Sequence, residues 1–210
     1  MGDPDVRLML EVRDGSAAAF EELVLRYQDR LITVLEHLVG NRDSAEDLAQ
    51  EVFLRVYRAR KRYEPGAKFS TWLFTIANNV AANARRGRAR RREVTLRSRD
   101  SGPLGPRPLD VLLQVSSGQI PARQLDKAEA CDIVRLAVAA LNERQRMAVL
   151  LSKFEGMSYV DIGETMELTP QAVKSLLSRA RNALREVLEP YFQSGDHPTA
   201  GERMPDTSAE

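Results

Sequence analysis

Ser158-Tyr159-Val160-Asp161-Ile162-Gly163-Glu164-Thr165-Met166, then Glu167-Leu168-Thr169, then Pro170-Gln171-Ala172-Val173-Lys174-Ser175: on this stretch turns the fold of the 210-residue chain. Ser158 is a favoured helix N-cap, and the residues after it predict a short helix from Tyr159 to Met166. Glu167-Leu168-Thr169 is the turn. Thr169 caps a second helix, with Pro170 at its first position, where a missing N–H costs nothing. Val173, Leu176, Leu177, Ala180, Leu184 and Leu188 then recur at helical steps. Short helix, tight turn and longer helix predict a helix-turn-helix, whose second helix enters the DNA major groove. Its polar positions are Gln171, Lys174, Ser175, Ser178, Arg179 and Arg181, with the cap Thr169 at its start. Gln reads adenine, and Arg reads guanine or holds phosphate. The competing reading is a plain helical hairpin packed inside a helical protein. Pro190 is expected to end the second helix.

Upstream, the same period continues. Ala128, Cys131, Val134, Val138 and Leu141 mark one helix. Asn142 caps the next, with Met147, Leu150, Leu151 and Phe154 as its inner face and Gly156 as its stop. In the first half, Val6, Met9 and Leu10 mark a short helix, ended by Asp14-Gly15-Ser16. Phe20, Leu23, Val24, Tyr27, Leu31, Val34, Leu35 and Leu38 mark a long one. Ser44 is expected to cap a third, carrying Leu48, Val52, Phe53, Val56 and Tyr57 and fading near Arg62. After the turn Glu64-Pro65-Gly66-Ala67-Lys68, Ser70 or Thr71 is expected to cap a fourth, with Trp72, Leu73, Ile76, Ala77 and Val80 on its apolar face. No alternating β-branched run appears. The expected fold is all-α, two small helical domains at 1–92 and 127–192. A Pro- and Gly-rich linker, 93–126, carries one short turn near Leu109–Leu113, and a polar tail, 193–210, is expected to be disordered.

The net charge of +1 hides a strong asymmetry. Residues 1–57 carry 6 Lys and Arg against 12 Asp and Glu, whereas residues 58–99 carry 13 against 2. Six of the basic residues are arginines packed between Arg85 and Arg92, a block that repels itself and calls for a polyanion. The alternative is a solvated helix end. Just before it, Tyr63, Phe69 and Trp72 lie among Arg60, Lys61, Arg62 and Lys68. Rings that stack on bases beside cations that meet phosphates suit single-stranded nucleic acid. Asn78, Asn79 and Asn83 follow, with amides able to read base edges. For Phe69 and Trp72 a core role is the alternative. The helix with Asp47, Gln50 and Glu51 would repel DNA and suits a protein partner, unless it is an ordinary amphipathic core helix.

Composition excludes other classes. One cysteine allows no internal disulfide and no multi-cysteine zinc site. Two distant histidines, His37 and His197, disfavour a histidine-based metal site or triad. No GxxxxGK, HExxH or GxSxG occurs, so neither cofactor nor enzymatic activity is expected. No apolar run reaches membrane-spanning length and the start lacks a signal-peptide core, so a cytoplasmic protein is the default expectation.

In this order the motifs resemble the extracytoplasmic-function (ECF) branch of bacterial RNA polymerase sigma factors. The stretches that carry the resemblance run from Asp14 to Leu23, Asp43 to Phe53, Phe69 to Asn79, Leu141 to Arg146, Met157 to Gly163, Val173 to Ser175 and Ser178 to Arg181. It implies a sigma region 2 domain, a linker and a region 4 domain. Asp47, Leu48, Gln50, Glu51, Phe53 and Leu54 match the segment that docks on the clamp coiled coil of core polymerase. Lys61, Arg62, Tyr63, Phe69, Ser70, Thr71, Trp72, Asn79, Asn83 and Arg86 match the reader of the −10 element, where a base is flipped from the stack. Thr169, Gln171, Lys174, Ser175, Ser178, Arg179 and Arg181 match the −35 reader. The resemblance implies core polymerase and promoter DNA as partners, and an anti-sigma factor as a further one. Three positions depart from the family pattern. Asn83 replaces Asp, Leu176 replaces an Arg expected to touch DNA, and Glu167 replaces a turn Gly. The rival readings are a stand-alone helix-turn-helix regulator and a non-DNA interaction module.

Overall fold

Each helix leaves four N–H groups and four carbonyls without a partner inside it, so the way helix ends are closed organises an all-helical chain. A computed structural model describes residues 3–98 and 127–192. In the first segment lie α1 (Pro4–Asp14), α2 (Ala17–Val39), α3 (Arg42–Ala59), a 3-10 turn (Arg60–Arg62) and α4 (Phe69–Ser98). In the second lie α5 (Lys127–Ala140), α6 (Glu143–Lys153), α7 (Tyr159–Met166) and α8 (Pro170–Phe192). No strand occurs among the described residues. The turn expected near Leu109–Leu113 and the tail 193–210 lie outside them. The start of the expected linker is helical, since α4 runs past Arg92 to Ser98.

Most ends close locally, those of Asn142, Ser158 and Thr169 as the sequence predicts. Ser16 accepts from the Ala19 N–H at 3.2 Å. Asn142 with Gln145, and Ser158 with Asp161, form reciprocal capping boxes. Thr169 accepts from the Ala172 N–H at 3.2 Å. Gly15 and Gly40 end α1 and α2 at φ 110° and 87°, a left-handed conformation that needs no Cβ clearance in glycine.

Several ends differ from expectation. Helix α3 is capped by Asn41, whose side chain accepts from the Ser44 N–H at 2.8 Å, and not by Ser44. The Ser44 hydroxyl instead meets Arg88, whose guanidinium also closes the end of α2 through the Val39 carbonyl at 3.0 Å. Neither Ser70 nor Thr71 caps α4. Asp3 does, accepting from the Phe69 N–H at 3.1 Å while its other oxygen accepts from Asp5 N–H at 3.0 Å to cap α1. One carboxylate thus closes the helix that follows it and another that begins 66 residues further along the chain. Pro190 does not end α8, which reaches Phe192. A proline this near a C-terminus removes a single intrahelical hydrogen bond.

Helices α1–α4 pack as one bundle and α5–α8 as another. The bundles also meet, α7 against α4 and α6 against α2. Their apolar residues form one continuous buried cluster, from Met9 through Leu35, Phe69 and Phe74 to Leu150, Ile162, Val173 and Ala180. Three residues expected inward are not: Phe154 is 55%, Tyr57 42% and Val134 41% exposed. Phe154 lies just past the last turn of α6, where its ring meets His37 of α2.

The helix-turn-helix is tight. A Cβ on Gly163 would stand 2.6 Å from the Leu168 carbonyl oxygen, so glycine is required where the two helices cross. Glu167 holds φ 55°, and no other non-glycine residue among those described has a positive φ. The turn therefore keeps the geometry of the family's glycine and carries a strain of about 1 kcal/mol.

Asp3→Ala should destabilise the chain by about 1–2 kcal/mol, because two helix N-termini lose an acceptor at once. Thermal unfolding beside Asp3→Asn, which keeps an acceptor oxygen, measures this. Equal midpoints for wild type and alanine variant would refute the double cap.

Candidate nucleic-acid interface

Helix α8 sorts its residues cleanly. Val173, Leu176, Leu177 and Ala180 are buried, while Gln171, Lys174, Ser175, Ser178 and Arg179 line a shallow concavity of about 330 Å³ on the outer face. Arg181 is exposed too, its Nε donating to the Leu177 carbonyl at 3.4 Å. Thr169 serves as the cap. The expectation that Leu176 costs a DNA contact is corrected: this position is 8% exposed and faces the core, where a leucine belongs.

On α4, Trp72, Asn79, Asn83 and Arg86 follow at spacings of seven, four and three, which places them along one stripe. Asn79, Asn83 and Arg86 are exposed, and the Arg86 guanidinium donates to Asn83 Oδ1 at 2.6 Å. The neutral amide steadies Arg86 without cancelling its charge, as the Asp of the family pattern would. Trp72 is half-buried, its ring centroid 4.8 Å from Tyr63 and 6.1 Å from Phe69. Tyr63 and Phe69 are 4% and 0% exposed, so in this conformation neither ring offers a face to a base. The Tyr63 hydroxyl is buried without a hydrogen-bond partner, and burial, with Asp3 nearby, pushes its pKa up to about 12. Arg62 is exposed and Ser70 half-buried, and Lys61 donates to the Arg13 carbonyl at 2.7 Å. Thr71 is 2% exposed beneath α7.

The acidic helix α3 presents Asp47, Gln50 and Leu54 outward, with Leu54 49% exposed. Glu51 is held by Arg55 at 2.7 Å, and that hydrogen bond lowers its pKa. Leu48 is half-buried and Phe53 buried, so these two position the face. Tyr57, which the sequence placed in the apolar repeat, is 42% exposed on the same side and lies under the Arg60 guanidinium at 3.8 Å. Its three-residue step from Leu54 was the available signal.

Nothing in the local sequence pattern signals the contacts between bundles. Lys68 Nζ lies 3.0 Å from Asp161 Oδ2, and the Thr71 hydroxyl lies 3.5 Å from Asp161 Oδ1. Thr165 donates to the Thr71 carbonyl at 3.5 Å. Arg30 pairs with Glu155 and Arg85 with Glu143. Arg146 donates to the carbonyls of Val138, Ala139 and Leu141 at the end of α5, and to His37 of α2 at 3.1 Å. Burial raises the Glu155 pKa despite Arg30, because the carboxylate is 1% exposed while its partner guanidinium is 44% exposed. For Asp161, partial burial acts upward, but hydrogen bonds from Ser158 and Lys68 outweigh it and the pKa is lowered.

No helix among the described residues is long and apolar enough to cross a membrane, and no cluster of His, Cys, Asp or Glu there could hold a metal.

A helix-turn-helix with an outward polar face, beside a basic helix bearing exposed amides, defines a helical DNA-binding transcription factor. The comparisons are more specific. Residues 23–91 match sigma-70 region 2, and residues 131–184 match sigma-70 region 4. The chain is 32% identical over 194 residues to the RNA polymerase sigma-H factor of Pseudomonas aeruginosa, covering 91% of this chain and 97% of that one. It is 30% identical to the ECF sigma factor SigW of Bacillus subtilis, covering 85% and 93%. Among solved structures it is similar to the sigma factor RpoE of Bartonella quintana, determined with the anti-sigma factor NepR: TM-score 0.61, 26% identity, 81% of this chain and 96% of that one. The chain belongs to the ECF family of RNA polymerase sigma factors. It acts with RNA polymerase in promoter-specific initiation of transcription.

Because the Asp161 pKa is lowered in the fold, its contribution is complete above the ordinary aspartate value of about 3.9 and is lost as pH falls through the lowered one. Below about pH 4 the melting temperature of the wild type should therefore drop more steeply than that of Asp161→Asn. Parallel curves between pH 6 and pH 2.5 would show that Asp161 adds no such stability.

Proposed function

We propose that residues 1–92 form the unit that docks on core polymerase and opens the −10 element, that 127–192 form the unit that binds the −35 element, and that 93–126 link them. The observation that carries this reading is the division of α8, with Gln171, Lys174, Ser175, Ser178 and Arg179 outward around the concavity and Leu176 and Leu177 inward. That face carries the donors to read base edges in a major groove, which admits a single helix. Helix α3 docks on polymerase through Asp47, Gln50, Glu51 and Leu54, with Leu48 and Phe53 supporting them. Asn79, Asn83 and Arg86, with Arg62 and Trp72, take the non-template strand. Tyr63, Phe69, Ser70, Thr71 and Lys61 shape that site, and Tyr63 and Phe69 hold Trp72 in place.

The chain does no chemistry of its own. It binds differentially, and polymerase makes the bonds. It works in the cytoplasm, in the compartment of the polymerase. The Bartonella quintana relative was solved with an anti-sigma factor, and we propose an anti-sigma partner for this chain as well.

The primary experiment is co-elution with bacterial core polymerase and abortive initiation on a promoter library. Promoter-dependent products support the reading, whereas tight duplex binding without polymerase and no products would replace it with a stand-alone regulator. Leu54→Arg should fold normally and weaken polymerase binding at least tenfold, about 1.4 kcal/mol. Lys174→Ala should lower promoter affinity and reduce the slope of log affinity against log salt by about one. An unchanged slope would remove Lys174 from the phosphate contacts.

A further inference from the structure

Helix α1 begins and ends on the segment that leads into α4. The match to sigma-70 region 2 starts at residue 23, so α1 lies outside it. The N-cap of α1, Asp3, also accepts from the Phe69 N–H at 3.1 Å and closes α4. At the other end the Arg13 carbonyl, among the last four of the helix and so without a partner inside it, accepts from Lys61 Nζ at 2.7 Å. A second route runs through side chains. Buried Asp5 accepts from the Tyr27 hydroxyl, and the Tyr27 ring meets Phe69 edge-on at 5.3 Å.

Between these anchors residues 64–67 are exposed, so their own packing does little to set the path of the segment. Asp3 and Arg13 stand roughly 15 Å apart along the helix, whereas the chain from Lys61 to Phe69 can extend to about 26 Å. The segment is therefore held bowed. Tyr63 shows that this form is imposed from outside. Its hydroxyl is buried without a partner, a cost that a segment free to relax would shed to water.

We propose that α1 is a brace for the strand-reading site, with Asp3 and Lys61 as positioning residues that hold the segment Lys61–Phe69 bowed and so set Arg62, Ser70 and Trp72 for the non-template strand. The inference rests on the reading of this segment and α4 as the strand reader. Lys61 acts through the Arg13 carbonyl and not through a phosphate. A site held in its binding form before the strand arrives is spared the cost of ordering it at binding. Charge alone predicts the opposite sign for Asp3. A carboxylate beside a strand repels phosphates, so its removal would tighten binding, whereas loss of a brace weakens it.

The test uses the full chain saturated with core polymerase, at a temperature where circular dichroism shows every variant folded. The probe is a fluorescein-labelled single strand carrying the non-template −10 region of a promoter on which the chain initiates. Fluorescence anisotropy should show Asp3→Ala binding it at least fivefold more weakly than wild type, with affinity for core polymerase unchanged within twofold. Asp3→Asn, which keeps one acceptor oxygen, should lie between the two. Lys61→Met keeps the length of the side chain and loses the donor. It should weaken strand binding without lowering the slope of log affinity against log salt, and it carries the test should Asp3→Ala lose helical content.

Strand binding by Asp3→Ala as tight as wild type, or tighter, overturns the brace. So does an equal loss of polymerase affinity, the mark of a general loss of fold. A slope lowered by about one in Lys61→Met overturns the strap at Lys61 and returns that residue to the phosphates. Asn79→Ala keeps the two readings apart. It lies in the reading stripe and should weaken strand binding whether or not the brace holds. If it binds as tightly as wild type, the assignment of α4 as strand reader fails instead.

Discussion

Unpaired backbone groups at helix ends are the constraint on which this architecture depends. Helices of 8 to 30 residues bring many ends for a chain of this size, and each exposes donors or acceptors that must be met. The chain meets some with the residue next door. Others it meets with a charged side chain from elsewhere: Asp3 for α4, Arg88 for α2, Arg146 for α5 and α2 together. These reach across the molecule, so closing a helix and fixing its neighbour become one event. A charged group that also satisfies a helix end gains more than an exposed ion pair, because the helix dipole adds to the hydrogen bond.

That distinction also explains what could be read from the sequence. Ser158, Thr169 and Asn142 act on N–H groups three residues ahead, and a local pattern reveals them. Asp3 acts on Phe69, and no local pattern can. The caps expected at Ser44 and Ser70 or Thr71 had suitable chemistry, but Asn41 and Asp3 took the positions. Apolar periodicity located the helices, and it failed at Tyr57, Phe154 and Val134, which stand in the repeat yet face outward. The candidate site divided the same way. The outward face of α8 followed from its period. The burial of Tyr63, Phe69 and Thr71 depended on α7 and the core, which no spacing within α4 encodes.

The basic stretch shows how charge and packing share the same residues. Arg88 is committed to the end of α2 and Arg85 to Glu143, whereas Arg86 stays exposed with Asn83. Composition alone treats these arginines as equals. Burial separates the two that serve the fold from the one exposed to meet a phosphate.

Gly163 fixes the crossing of α7 and α8 by backbone contact, since the Leu168 carbonyl leaves no room for a side chain there. The angle between these helices therefore owes nothing to Gln171, Lys174, Ser175, Ser178 or Arg179. Exchanges among helix-compatible side chains at those positions leave that backbone contact untouched. A reading head built this way is evolvable: duplicated copies of such a gene could drift toward new promoter sequences one surface residue at a time, on a crossing that the backbone itself holds.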